Sequence, residues 1–253
     1  MMEVAGHVRS LERDGRLLLA AAKRAGLDAP VPTCPAWTVR DLLAHIGFVH
    51  RWAASYVSEA REDVLEEPDE ETILGSAPRT DELVDWVEAG HSALVRTLEE
   101  APEDLRCWTF LAAPSPLAFW ARRQAHETAV HRVDAELAAG VPPSAIDPEL
   151  GADGVDELLI GFLGRSAAER AHETVVGSIA ILPTDRPERW TARVLAEHGA
   201  AEPGAADCDT AVRAAAADLY LLLWNRRSAE GLDVTGRADL LELWRQRVEV
   251  TWA

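Results

Sequence analysis

Hydrophobic positions along the first half of the chain recur three to four residues apart, the spacing of one helical face. Val4, Val8, Leu11, Leu18 and Ala22 carry the pattern and Gly26 ends it, which predicts a first helix from Val4 to Arg24. The stretch LDAPVPTCPAW holds three prolines and predicts irregular chain. Thr38 then offers a helix N-cap with Asp41 three residues on, and Leu42, Ile46, Val49 and Ala53 form the buried stripe of a second helix. A third is expected from about Asp81 to Glu100, with Leu83, Val87, Leu94 and Leu98 inward. Ser115 followed by Pro116 is a cap and a first-turn proline, opening a fourth helix that runs to Gly140.

The period then changes. Val141 to Gly151, VPPSAIDPELG, reads as a linker, and a helix is expected from Gly154 to Ala168. Thr174 to Leu182 and Glu188 to Leu195 are β-rich runs around a proline-containing loop, an antiparallel hairpin. Asp209 to Ala214 offers a further strand, ADLYLLLWNRR a short apolar helix, LDVTG another strand and ADLLELWRQRVEV a closing helix. The fold class is therefore α+β: a four-helix bundle over residues 1–146, then a small domain with an antiparallel sheet over 147–253.

The fourth helix carries polar chemistry on an inward line. Trp120, Arg123, His131, Asp134 and Ala138 fall within about 40° of Glu127 on a helical wheel. Buried charges cost stability unless paired or bound, so this stripe reads as a site. HETAVH resembles the H-E-x-x-H zinc helix only superficially. Position 130 is Val130, and His126 and His131 lie about 140° apart, too far round to share a metal. Glu127 and His131, four apart, do face one way. His45 lies about 60° from Leu42, inside the inward sector of the second helix. It reads either as a core histidine with a hydrogen-bond partner or as the third ligand of a His-His-Glu set with one coordination position open. Taken alone, Glu-x-x-x-His is most often an exposed ion pair. Arg123 faces the same way, as a donor to an anionic substrate or as an ion-pair partner for Glu127 or Asp134. Asp134 is placed to orient an imidazole ligand. Cys34 reads as part of a packed loop, and His50 and His91 acquire no role.

Composition narrows the partners. The formal charge is −18, from 25 basic and 43 acidic side chains, which repels nucleic acid and anionic membranes. The carboxylates between Ser58 and Thr72 lack the glycine and ligand spacing of a calcium loop and read as a solvated helix end. Lys23 is the sole lysine, and neither a Gly-Lys-Ser/Thr phosphate loop nor a G-x-G-x-x-G fingerprint occurs. Three scattered cysteines are no disulfide framework, and no signal peptide or membrane span is apparent, so a cytoplasmic protein is expected, monomer or homodimer.

TCPAWTVRDLLAHIG, RRQAHETAVHRVDAE about eighty residues later and ADLYLLLWNRR near the C-terminus together resemble the mycothiol-dependent maleylpyruvate isomerase family, whose N-terminal domain is a DinB-like four-helix bundle. The resemblance implies a metal, usually zinc, held by His45, Glu127 and His131, and mycothiol as the low-molecular-weight thiol. It also implies an arginine from the C-terminal domain, for which Arg226 and Arg227 are the candidates. The expected activity is isomerisation of a small electrophile or S-transfer to it. The competing expectations are a non-catalytic metal- or ligand-binding regulatory protein and a metal-dependent hydrolase on the same scaffold.

Overall fold

A computed structural model describes residues 2–65, 72, 75–78, 82–165 and 172–248. The chain divides into two compact units, Met2–Ser144 and Ala145–Ala253.

The first unit is built on four long helices among the described residues: α1 Val4–Ala25, α2 Val39–Ser58, α3 Glu82–Glu100 and α4 Pro116–Ala138. Each boundary has a local cause. Gly26 closes α1 at φ 84°, a backbone that side-chain-bearing residues rarely adopt. Thr38 and Asp41 form a reciprocal capping box on α2, and Ser115 Oγ accepts the Ala118 N–H at the start of α4, with Pro116 in its first turn. The expected stripes are buried except for the half-buried Val4: Val8, Leu11, Leu18 and Ala22 on α1, Leu42, Ile46, Val49 and Ala53 on α2, and Leu83, Val87, Leu94 and Leu98 on α3. A fully buried leucine or isoleucine contributes about 1.5–3 kcal/mol, so these positions drive the assembly.

Helix α4 departs from the one-sided expectation. Eighteen of its 23 residues are buried, so it is the central helix, packed along α1 and against α2, with no solvent face to balance an apolar one. Its charges are paired instead. Arg132 meets Glu136 at 2.7 Å and Asp14 at 3.7 Å; it also donates to the Ser144 carbonyl, while Ser144 N–H and Oγ–H donate to Glu136. That network ties the chain leaving α4 back onto the helix. The acidic run after α2 falls partly outside the described residues, and so does Asp81; within the run, Glu62 and Asp63 are exposed.

The second unit opens with α5, Pro148–Asp156, capped by Asp147. The last residues of the expected linker are thus helical, because Asp147-Pro148 is the same start signal as Ser115-Pro116. The helix continues through a π-helical segment, Glu157–Phe162, and a last α-turn, Leu163–Arg165; residues 166–168 of the expected helix lie outside the described residues.

A five-stranded sheet follows in the order β3-β2-β1-β4-β5, with β1 Val175–Pro183, β2 Trp190–Leu195, β3 Gly199–Pro203, β4 Thr210–Ala214 and β5 Asp233–Gly236. The β1–β2 hairpin is antiparallel, as are β2–β3 and β4–β5, but β1 and β4 run parallel, with Ile179 beside Thr210. Strand β3 was not expected: GAAEP has no β-branched or aromatic residue, and its place comes from pairing with β2. Helices α6 Ala216–Leu223 and α7 Asp239–Arg247 complete the unit. Leu240 of α7 fills the space over Gly177, where a β-carbon would lie 2.5 Å from it.

Candidate metal centre

Helices α2 and α4 bring His45, Glu127 and His131 together. Their ligand atoms lie within 4.8 Å of one another. His45 Nε2 is 2.9 Å and His131 Nε2 3.2 Å from the same oxygen, Glu127 Oε1. The other oxygen, Oε2, accepts from Arg123 at 2.7 Å, one turn earlier on α4. Arg123 is buried and holds the carboxylate so that Oε1 faces the two imidazoles. On the far side of its ring, His131 Nδ1 is 2.8 Å from Asp134 Oδ2, so Nδ1 carries a proton and donates to that carboxylate while Nε2 faces Glu127.

The electrostatics follow from this geometry. Burial alone would raise the Glu127 pKa, but the Arg123 guanidinium and hydrogen bonds from His131 and His45 hold it well below the usual carboxylate range. Burial opposes charge on His131, yet its bonds to Asp134 and Glu127 outweigh that, and its pKa is raised. Two imidazole nitrogens and a carboxylate oxygen aimed at one point need a positive charge between them. A proton supplies it in part. A divalent ion fits the donor set better, because His₂-carboxylate is a ligand set of catalytic zinc with a fourth position left for an exogenous ligand.

Three residues of the loop before α2 border this cluster or Asp134 beside it. The Trp37 ring lies 5.0 Å from that of His45 and 5.8 Å from that of His131, stacked on the latter at 26°. Thr33 Oγ1 donates to Asp134 Oδ1. Neither was foreseen as part of a site; the only sequence signal was their place within TCPAW, directly ahead of the α2 cap. Cys34 Sγ also lies 3.8 Å from Asp134. His126 sits edge-on to His7, with ring centroids 6.0 Å apart, consistent with its placement off the ligand face.

The other candidates belong to the second unit. Arg226 donates to the Trp224 carbonyl at 2.8 Å; Arg227 pairs with Asp218 and donates to the Glu230 carbonyl at 3.1 Å.

A His-His-Glu cluster inside a helical bundle, with a sheet-bearing unit after it, defines a two-part α+β architecture with a candidate metal centre in its first part. The chain belongs to the mycothiol maleylpyruvate isomerase family: residues 8–136 match the mycothiol maleylpyruvate isomerase N-terminal domain and residues 149–243 the MDMPI C-terminal domain. Among solved structures, a mycothiol-dependent maleylpyruvate isomerase is similar at a TM-score of 0.66 and 14% identity, covering 94% of this chain and 95% of its own. A histidine-to-alanine mutant described by the same name is similar at 0.65 and 13%, with the same coverage. At these identities the likeness is one of fold. No curated protein matches the chain in sequence. Among the described residues no helix is long and apolar enough to cross a membrane.

Proposed function

We propose that this chain is a zinc-dependent enzyme that uses mycothiol to isomerise a small, anionic, conjugated electrophile of the maleylpyruvate type. The observation that carries the reading is the convergence of His45 Nε2, His131 Nε2 and Glu127 Oε1 on one point, in a family named for this reaction. Zinc held there supplies a cationic charge that lowers the pKa of a thiol at the remaining position. The chain's own residues set the conditions for that. Arg123 keeps Glu127 ionised and oriented, and Asp134 keeps the His131 proton on Nδ1.

Mycothiol bound there would supply a thiolate able to add reversibly to a conjugated double bond, allow rotation about it and leave again, with no net change in atoms or electrons; protonation in place of expulsion would give S-transfer with the same ligands. Arg226 and Arg227 are the proposed donors to substrate carboxylates. A reducing cytoplasm, where such a thiol is available, is the proposed setting.

The test is elemental analysis of wild-type and His45→Ala protein, calorimetric titration with mycothiol, and chromatography of maleylpyruvate and its trans isomer after incubation. About one zinc per chain, lost in the mutant, with turnover that requires mycothiol, is the expected result. Hydrolysis products formed without thiol would support the hydrolase reading instead. Zinc and thiol binding without turnover of any electrophile would make the chain a binding protein.

A further inference from the structure

The loop between α1 and α2 is better ordered than its three prolines imply. Val31 N–H donates to the Trp37 carbonyl, Cys34 N–H to Val31 and Trp37 N–H to Cys34, at 2.8–3.1 Å; Val39 N–H and Arg40 N–H reach back to Ala29 and Leu27, both at 2.9 Å. Val31 is buried beneath it. The loop is therefore a closed, self-bonded turn whose far end is the capping box that starts α2. Its contacts with the site inherit that rigidity, and besides Cys34 Sγ at 3.8 Å from Asp134 Oδ2 two of them matter here.

The first contact is Thr33. Asp134 has no exposed side-chain surface, and a buried carboxylate keeps its charge and orientation only where donors hold it. Its Oδ1 accepts from Thr33 Oγ1 at 2.5 Å and its Oδ2 faces His131 Nδ1 at 2.8 Å. A chain of hydrogen bonds thus runs from the loop through Asp134 to a ligand imidazole. The second contact is Trp37. Its ring and those of His45 and His131 form a triangle with centroid separations of 5.0, 5.8 and 5.0 Å. The indole therefore limits rotation of both imidazoles about their terminal side-chain bonds. It is itself only partly buried and packed against the core cluster of α1 and α2.

We infer that Thr33 and Trp37 are positioning residues of the metal centre: Thr33 acts through Asp134 to hold His131 in the Nδ1–H form, and Trp37 is the wall that fixes the two imidazole ligands relative to each other. The inference rests on the reading that His45, Glu127 and His131 hold a metal. Residues that orient metal ligands typically change affinity 10–100-fold when replaced.

The experiment measures zinc affinity by competition with a chromophoric chelator, and the visible absorption of the cobalt(II)-substituted protein, in wild type and in Thr33→Val and Thr33→Ser. Valine keeps the shape and loses the hydroxyl; serine keeps the hydroxyl. The expected result is zinc binding weakened about 10–100-fold, with an altered cobalt spectrum, in Thr33→Val, and near wild-type behaviour in Thr33→Ser. Trp37→Phe supplies a second readout that does not depend on Thr33. Cobalt quenches tryptophan emission in wild type, and the part due to the indole nearest the ligands is lost in this variant. Unchanged affinity and spectrum in Thr33→Val, or undiminished quenching in Trp37→Phe, overturns the inference while leaving the metal centre standing. A wild-type protein that takes up neither zinc nor cobalt overturns the metal reading itself, and this inference with it.

Discussion

Helix α2 carries two histidines that end in different surroundings. His45 meets Glu127 and lies beside His131, in a cluster that holds Arg123 and Asp134 as well. His50, five residues on, is fully buried with its Nε2 against Thr128 Oγ1 at 2.9 Å and its ring 5.3 Å from that of His91. In the first cluster carboxylates offset burial, and the His131 pKa is raised. In the second, burial dominates and the neighbouring imidazole adds to it, so His50 is held well below the ordinary histidine value; burial also lowers His91, although the Glu12 carbonyl works the other way. The lesson is that burial by itself makes a histidine neutral and inert. Carboxylates at hydrogen-bonding distance offset that effect, as Asp134 and Glu127 do at His131.

The largest break in this comparison is Glu127→Gln. It removes the negative charge that faces both imidazoles and leaves the Arg123 charge buried without its carboxylate. A loss of about 3–5 kcal/mol in urea unfolding of the metal-free protein is expected, together with loss of metal binding. His45→Ala sharpens the point: metal binding is lost at much smaller cost in stability, since no buried charge is stranded.

Acid pH tests the second cluster. His50 and His91 have folded pKa values below the unfolded value of 6.5, so below that pH the unfolded chain takes up protons the folded chain refuses. Their contribution falls as pH drops from about 6.5, by at most about 1.4 kcal/mol per pH unit for each group. In the metal-free protein His131 works in the opposite sense: its raised pKa contributes stability that is fully present below the unfolded value and is lost as pH rises through the folded one. Unfolding free energies of wild type and His91→Gln between pH 7 and 5.5 separate the two, and the variant is expected to show the shallower acid-side loss.

Two smaller changes touch only the inert pair. Gly15 on α1 makes room for His91: a β-carbon there would lie 2.2–2.6 Å from three ring atoms. Gly15→Ala is expected to cost about 1–3 kcal/mol in chemical denaturation with zinc content unchanged. Thr128→Val removes the hydroxyl that meets His50 and is expected to cost about 1 kcal/mol, again without effect on metal binding.

The helices and their caps were legible because they rest on local signals. Thr38 with Asp41, Ser115 with Pro116 and the stripes of α1 to α3 are readable from neighbours three or four residues apart. Glu127 and His131 were legible as a pair for the same reason, and His45 entered through its inward angle and the family resemblance. His50 and His91 were not, since a histidine's partner lies on another helix. Strand β3 was out of reach because GAAEP has no β-branched or aromatic residue, and the parallel β1–β4 pairing because ladder partners far apart in sequence leave no periodic trace.

What the sequence determined by itself is therefore the set of local choices: which segments are helical, which faces turn inward, and which residue types with ligand chemistry stand on those faces. Only the tertiary structure decided which of the inward histidines meet carboxylates. It set Arg123 on Glu127 and not on a solvent-facing path, and it folded the proline-rich loop so that Thr33 and Trp37 reach the same centre. Helical periodicity specifies a direction to within a face. Coordination and hydrogen bonding depend on distances of about 3 Å between side chains of different elements, and these exist only once the bundle has packed.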